Sequence, residues 1–317
     1  MILVTGGAGY IGSVVSERLV GQGREVCVYD NLSQGHREAV PAGAVFEQQE
    51  IGDREALRKV LRYYPIKAVM HFAAHALVGE SMQDPGKYFR NNLIDSIVLL
   101  EEIHAAGVGR FVFSSSCAIF GNRNPSPIPE EAPTDPINPY GESKLAFEKV
   151  LGWYHQIHGL AYFCLRYFNA CGATETRGER HDPETHLIPL VLNAAGGNEG
   201  VRVFGSDYAT PDGTCVRDYV HVIDLADAHI LALEAAPALS GCYNVGTGRG
   251  TSVREVIDLA SRVTGKPIRE IPVERRAGDP AELVADATKI QQKLGWRPIH
   301  DIESAIRSAW QFRSRNK

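Results

Sequence analysis

Several things are scarce in this sequence of 317 residues. No apolar run approaches the roughly 20 residues that a membrane-spanning helix needs, so no membrane protein is expected. Lys and Arg number 33 against 38 Asp and Glu, a formal charge of −5, and the basic residues are dispersed. That removes the electrostatic footprint of a nucleic-acid binder. The six cysteines (Cys27, Cys117, Cys164, Cys171, Cys215 and Cys242) include no CxxC pair. A chain this long needs no covalent staples, so they are read as reduced, mostly buried thiols. His71/His75 and His155/His158 have spacings that could hold a metal on a helix, but a third ligand is missing, and no metal is expected. There is no internal repeat and no low-complexity tract. Strand and glycine motif begin at Ile2, leaving no room for a signal peptide, and a cytoplasmic protein is expected.

What is present is ordinary for a globular enzyme: 44% hydrophobic and 22% charged residues. Through the first half, short β-branched runs alternate with helical patterns, the signature of βαβ units and a parallel sheet. Strands are expected at Ile2–Val4, Val26–Tyr29, Ala68–Phe72, Arg110–Ser114 and Ala161–Tyr167, and helices at Ile11–Val20, Pro85–Ala106 and Tyr140–His158. In the long second helix, Leu93, Ile97, Leu100 and Ile103 share one face. A proline-rich segment from Pro125 to Pro139 separates the last two helices and cannot be regular structure. The second half mixes short strands with helices at Thr185–Ala195, Ile223–Ala235, Val253–Val263 and Thr288–Leu294. The expectation is an α/β fold: a Rossmann-type doubly wound parallel sheet over residues 1–168, and a smaller C-terminal α/β substrate lobe over 169–317. Some elements of that lobe would return to the first domain.

Thr5-Gly6-Gly7-Ala8-Gly9-Tyr10-Ile11-Gly12 lies between the first strand and first helix. Gly6, Gly9 and Gly12 permit a tight turn and close approach of backbone to a pyrophosphate, which the helix N-terminus would attract. Asp30 ends the second strand, where a carboxylate accepts ribose hydroxyls and repels a 2′-phosphate, favouring NAD over NADP. Tyr140 and Lys144 stand at i and i+4, on one helix face. A nearby ammonium favours phenolate, so the pair can take a hydroxyl proton. Ser116, beyond a strand's carboxyl end, can hydrogen-bond the same oxygen. Singly, these features also fit a structural turn, a loop cap, a solvated helix face and a serine-rich turn; their common context at one crevice joins them.

Together these residues resemble the extended short-chain dehydrogenase/reductases, and within them the UDP-glucose (UDP-galactose) 4-epimerases. The similarity covers nearly the whole chain. It includes His71-Phe72-Ala73-Ala74, Val78-Gly79-Glu80-Ser81, Asn91-Asn92, Arg166-Tyr167-Phe168-Asn169, Asp212–Val222 and Arg275-Arg276-Ala277-Gly278-Asp279-Pro280. The last two segments are much the more particular to nucleotide-sugar epimerases. The resemblance implies Tyr140 as general base, Lys144 as its electrostatic partner and Ser116 as hydroxyl ligand. It implies that NAD is lined by Gly6, Gly9, Tyr10, Ile11, Gly12, Asp30, Asn31, Ser33, Glu50, Ile51, Phe72, Ala73, Ala74, Asn91, Ser114, Tyr140, Lys144 and Phe168. The UDP-sugar would meet Ser116, Tyr140, Asn169, His186, Leu187, Val203, Phe204, Arg217, Arg276, Asp279 and Leu283. A homodimer through the Pro85–Ala106 and Tyr140–His158 helices is also implied.

Some positions depart from the family pattern. Glu50 stands for a usual Asp, Ala76 for a frequent Lys and Phe120 for a common Tyr. Leu283 is of intermediate size at a position that influences whether an acetamido sugar fits; it favours UDP-glucose and UDP-galactose, with UDP-N-acetylhexosamines, UDP-pentoses or UDP-uronates as alternatives. Cys117-Ala118 replaces the acid–base pair that a nucleotide-sugar dehydratase would need. A non-catalytic NAD-binding regulator would have lost the Tyr/Lys pair, which is intact here.

Overall fold

The structure, a computed structural model, describes residues 1–197, 200–276 and 278–315. The first half contains β1 (Ile2–Thr5), α1 (Tyr10–Gly21), β2 (Val26–Tyr29), β3 (Val45–Glu47), α2 (Arg54–Tyr63), β4 (Ala68–His71), α3 (Val78–Ser81), α4 (Pro85–Phe89), α5 (Ser96–Ala105), β5 (Arg110–Ser116), α6 (Pro139–His158) and β6 (Ala161–Tyr167). The second half contains β7 (Asn169–Cys171), α7 (Leu187–Gly196), β8 (Val201–Phe204), β9 (Val216–His221), α8 (Val222–Glu234), β10 (Gly241–Val245), β11 (Gly250–Ser252), α9 (Val253–Thr264), β12 (Glu270–Val273), β13 (Glu282–Leu283), α10 (Thr288–Leu294) and α11 (Ile302–Arg315).

Seven strands form one parallel sheet in the order β3-β2-β1-β4-β5-β6-β10. The chain winds outward from β1 to one side, then crosses back to β4 and winds to the other. A parallel sheet built this way opens a crevice at the carboxyl ends of β1 and β4. Its central strands are buried on both faces, which is why they read as continuous apolar runs rather than alternating ones. On one face Val14, Val15 and Leu19 of α1 pack with Leu225 and Ala226 of α8 and with Ile290 and Trp296. On the other, Leu57 and Val60 of α2 meet Leu99, Leu100 and Ile103 of α5 and Phe147 and Leu151 of α6. Truncating a fully buried ring such as Phe147 would cost about 3–5 kcal/mol.

The remaining strands build a smaller layer. β9 pairs with β7, β11 and β13, and β8 pairs with β12. Helix α9 begins with a complete capping box, Ser252 with Glu255, and packs Val256, Ile257 and Ala260 against α7 and α11. Strand β10 and helix α8 leave this layer and join the main sheet, so the chain crosses between the layers more than once.

Three differences from the sequence expectation have physical causes. The predicted Pro85–Ala106 helix is broken by a π-helical stretch at Arg90–Asp95. The buried Asn92 side chain, hydrogen-bonded outside its own helix, accompanies it. Strand β5 extends to Ser116, two residues beyond expectation, because Ser115 and Ser116 still pair in register with Arg166 and Tyr167. Elements β3, α2, α3 and α11 have no counterpart among the sequence expectations. For α2 the signal was present: Asp53 caps it, accepting from the N–H groups of Glu55 and Ala56, ahead of an apolar stripe at Ala56, Leu57 and Val60. Among the described residues no helix is long and apolar enough to cross a membrane.

Candidate active site

The glycine turn sits at the carboxyl end of β1. Gly6 has φ +71°, and a Cβ there would lie 2.5 Å from the Ala73 nitrogen, so the turn closes on the segment after β4. A Cβ on Gly12 would stand 2.2 Å from the Gly6 carbonyl oxygen. Only glycine lets α1 descend onto the turn. Gly9 is the N-cap of α1 and offers no side-chain cap. The first-turn N–H groups around Tyr10 and Ile11 therefore face the crevice with the helix dipole behind them, a cradle that suits a pyrophosphate.

Asp30 follows β2 and is buried. Its Oδ2 accepts from Ala8 N at 2.9 Å and its Oδ1 from Leu32 N at 2.8 Å. Burial pushes this carboxyl up, and the two N–H donors oppose that. Each oxygen keeps acceptor capacity for a hydroxyl. Asn31 donates to Glu50 Oε2 at 2.9 Å and accepts from Ser33 N at 2.9 Å, tying together the rim beside Asp30. Ile51 is buried in the core beneath that rim, whereas Ser33 and Glu50 are exposed. Phe72 packs on the His229 ring with centroids 4.7 Å apart. These groups fit a dinucleotide: a turn with no side chain in the way, free helix N–H groups, and a carboxylate one strand over.

Tyr140 and Lys144 lie in the first turns of α6. Asn138 caps that helix, accepting from Gly141 N at 2.8 Å, and Pro139 presets its first turn. Tyr140 comes up to Ser116 at the end of β5; burial pushes its phenol up to about 12, and the neighbouring Ser116 hydroxyl opposes this. Ser116 Oγ itself accepts from Ala118 N at 3.1 Å, which leaves its O–H to donate. Lys144 is buried, donates to the Ser114 carbonyl at 2.7 Å and stands 4.7 Å from the Phe113 ring centroid and 5.9 Å from that of Tyr140. Desolvation lowers its ammonium to about 7, with Glu148 pulling the other way. Cys117, the next residue after Ser116, has a thiol pushed up to about 12 by burial and offers no acid–base group.

On the smaller layer, Arg217 donates to Asp279 Oδ1 at 2.8 Å and to the Val216 and Pro280 carbonyls. The Arg276 guanidinium lies 3.8 Å from the Phe204 ring centroid. Leu283 pairs in register with Arg217 and packs on the cluster containing Cys117 and Phe168. Asn169 donates to the Asp218 carbonyl at 2.9 Å. Two nominated residues differ from the rest. Val203 turns its side chain into the lobe core with Val191 and Ile257, because alternation on β8 sends Phe204 the other way, so Val203 can offer a ligand only backbone. The His186 ring is held by Glu179 at 2.6 Å and Glu184 at 3.3 Å. Ala277, inside the Arg275–Pro280 segment, lies outside the described residues.

Several supporting residues carried no local signal. Asn92, from the π-helical stretch, accepts from His75 N at 2.9 Å and donates to His75 O at 3.0 Å and Ser143 Oγ at 3.1 Å. It thereby locks the loop after β4 to α6, with Asn91 donating to the Asn92 side-chain oxygen at 2.9 Å. Asn91 itself is only partly buried. His229 Nδ1 lies 2.8 Å from the Leu225 carbonyl, which makes it the donor there. Its Nε2 is then left to accept from the Tyr167 hydroxyl at 2.6 Å. Tyr167 in turn stands opposite Ser116 in the β5–β6 register. Glu148 sits one turn beyond Lys144, bridged to Arg166 at 2.7 Å and accepting from Ser115 at 2.5 Å, all buried. Asp218 gathers Thr247, Gly248 and Ala285 N–H groups and so joins β9 to the loops on either side.

With that geometry in hand, the relatives are informative. The NAD dependent epimerase/dehydratase family model matches residues 2–246. A curated UDP-glucose 4-epimerase of Streptomyces lividans is 50% identical, the match covering 98% of this chain and 95% of that one. A crystal structure of UDP-glucose 4-epimerase from Brucella ovis in complex with NAD superposes with a TM-score of 0.94 at 46% identity, covering 98% of each chain. Another, from Bifidobacterium longum in complex with NAD+ and UDP, gives 0.94 at 36% identity, covering 99% of this chain and 98% of that one. The chain belongs to the NAD dependent epimerase/dehydratase family.

Proposed function

We propose that this protein inverts C4 of a UDP-hexose, interconverting UDP-glucose and UDP-galactose with resident NAD. The observation that carries the reading is the meeting of Tyr140, Ser116 and Lys144 at the end of β5, at the crevice that the glycine turn and Asp30 border. Gly6, Gly9, Gly12 and the first turn of α1 would hold the pyrophosphate, and Asp30 the ribose hydroxyls. NAD, when bound, supplies a positively charged, reversible acceptor for the C4 hydrogen and its electron pair.

Tyr140 takes the proton of the C4 hydroxyl, and Ser116 orients that hydroxyl by donating to it or accepting from it. A buried phenol gives up its proton only beside a cation, and Lys144 is the chain's own cation at this place. Glu148 supports the charged form of Lys144, and Arg166 neutralises Glu148. Arg217 and Arg276 suit a diphosphate through charge-assisted hydrogen bonds, with Phe204 and Asp279 fixing their planes. Residues 169–317 form mainly the UDP-sugar lobe. With the nucleotide anchored there, the 4-keto sugar turns its other face to the crevice, and Tyr140 returns the proton. Cys117 and Ala118 following Ser116 argue against elimination of water.

The six free cysteines fit a reducing cytoplasm. A homodimer is proposed through α5 and α6, because Ile94, Trp153 and Ile157 are 55%, 62% and 67% exposed and lie on or beside those helices. The test is incubation of purified protein with UDP-galactose and no added nucleotide, followed by NMR of the sugar. UDP-glucose should appear. UDP-N-acetylgalactosamine run beside it should convert more slowly, because Leu283 carries bulk at the sugar end. No conversion of UDP-galactose, even with NAD⁺ added, would overturn the substrate.

A further inference from the structure

The segment between β7 and α7 reads Glu179-Arg180-His181-Asp182-Pro183-Glu184-Thr185-His186. It brings two carboxylates and two imidazoles to one point. One ligand atom from each of Glu179, His181, Glu184 and His186 lies within 4.8 Å of all the others. The His181 Nδ1 is 3.0 Å and the His186 Nδ1 2.6 Å from Glu179 Oε1; His186 Nδ1 is 3.3 Å from Glu184 Oε1. A tetrahedral zinc ion with N and O ligands at about 2.0–2.2 Å separates its donors by about 3.4 Å, so only small side-chain movements would admit one.

The two carboxylates find no cation here, among the described residues, other than the imidazoles themselves. Among the described residues no lysine or arginine pairs with Glu179 or Glu184. Arg177 and Arg180, the nearest in sequence, turn instead to Glu17 and Glu38. The side chain of Glu179 is only 8% exposed, and that of Glu184 only 13%. The donors are held in place from behind. Glu184 Oε1 accepts from the N–H groups of Thr185 and His186 at 2.7 and 2.8 Å. His36 Nε2 lies 3.1 Å from the Arg180 carbonyl, and the Tyr10 ring meets His181 edge-on. Such outer contacts are what orient the ligands of a metal site.

We propose that Glu179, His181, Glu184 and His186 bind one divalent ion of the zinc class, as a structural site. Two carboxylates and two neutral imidazoles balance its charge, and N/O donors in this number match zinc rather than magnesium or calcium. The ion would clip the loop to Tyr10 of the glycine turn on one side, and to the start of α7 on the other.

The test uses full-length protein without a polyhistidine tag, stripped with chelator. Zinc should then be taken up to one equivalent per chain by equilibrium dialysis and elemental analysis. Cobalt(II) should give the intense visible bands of a tetrahedral centre, and zinc should raise the melting temperature. The variant H181Q and the double variant E179Q/H181Q should bind zinc more than tenfold more weakly and lose the thermal shift. Circular dichroism in chelator would show whether each is folded, and H181Q, which removes the less deeply placed ligand, serves if the double variant is not. No stoichiometric uptake by the wild type, a weak octahedral cobalt spectrum, or uptake unchanged in folded H181Q would each overturn the site.

Discussion

At the scale of single residues, the account rests on the phenol of Tyr140. Tyr140→Phe keeps the ring that meets Tyr88 edge-on and removes the phenolic oxygen beside Ser116. Loss of a positioned acid–base group costs about 10²- to 10⁴-fold in rate, and turnover should fall within or beyond that range. NAD retained through purification should be unchanged. Near-wild-type turnover in the variant would remove Tyr140 as the base. This residue was legible because its partner Lys144 lies four positions away on the same helix, a relation that sequence spacing states directly. Glu148, His229 and Asp218 were not legible. Glu148 matters because Arg166 comes to it from β6, and His229 because Tyr167 reaches it across 62 positions. Asp218 stood inside a segment singled out for Arg217, yet its carboxylate joins loops 29 to 67 positions distant. A buried carboxylate or imidazole acquires its meaning from the sheet neighbour that satisfies it.

At the scale of elements, α6 does two things. Its inner face carries Tyr140, Lys144 and Glu148 at successive i, i+4 positions. Its outer face carries Trp153 and Ile157, also i and i+4, both open to solvent in the single chain. A ridge of this kind, together with exposed Ile94 on the neighbouring π-helical stretch, fits a symmetric contact with a second copy. Sedimentation of the wild type should give twice the chain mass of 34.7 kDa, and Trp153→Glu should give monomers with the fold intact. A monomeric wild type would contradict the dimer, and a dimeric variant would contradict this contact face. The sequence face Leu93, Ile97, Leu100 and Ile103 turns inward instead. The π-helical stretch at Arg90–Asp95 was invisible in the pattern, because apolar spacing records which face is buried and not how many residues make the turn. Strand β3, three half-buried residues, left too little periodicity to read.

For the whole molecule, the doubly wound half was legible from alternating strand and helix patterns. The return of β10 to the sheet edge beside β6 was not, since nothing local distinguishes Gly241–Val245 from a strand of the smaller layer. The assembled core also buries three histidines in neutral form. Burial lowers His71 to about 3, His229 to about 4 and His221, with His300 adding to the effect, to about 4. Unfolded histidine protonates near 6.5, so the unfolded chain binds more protons below that pH. Their contribution to stability is complete above pH 6.5 and is lost as pH falls toward 4. At pH 5 the loss is about 2 kcal/mol for each. The urea midpoint should therefore drop between pH 7 and 5, and drop less steeply in His229→Gln. A midpoint flat across that interval would contradict the burial of neutral imidazoles.

The central claim is that C4 loses and regains its own hydrogen inside one crevice. UDP-galactose carrying deuterium at C4, incubated in ordinary water, tests it most directly. The account predicts UDP-glucose with the deuterium still at C4. Product with hydrogen from solvent at C4 would mean inversion by proton removal from carbon, and would contradict the NAD-dependent redox route.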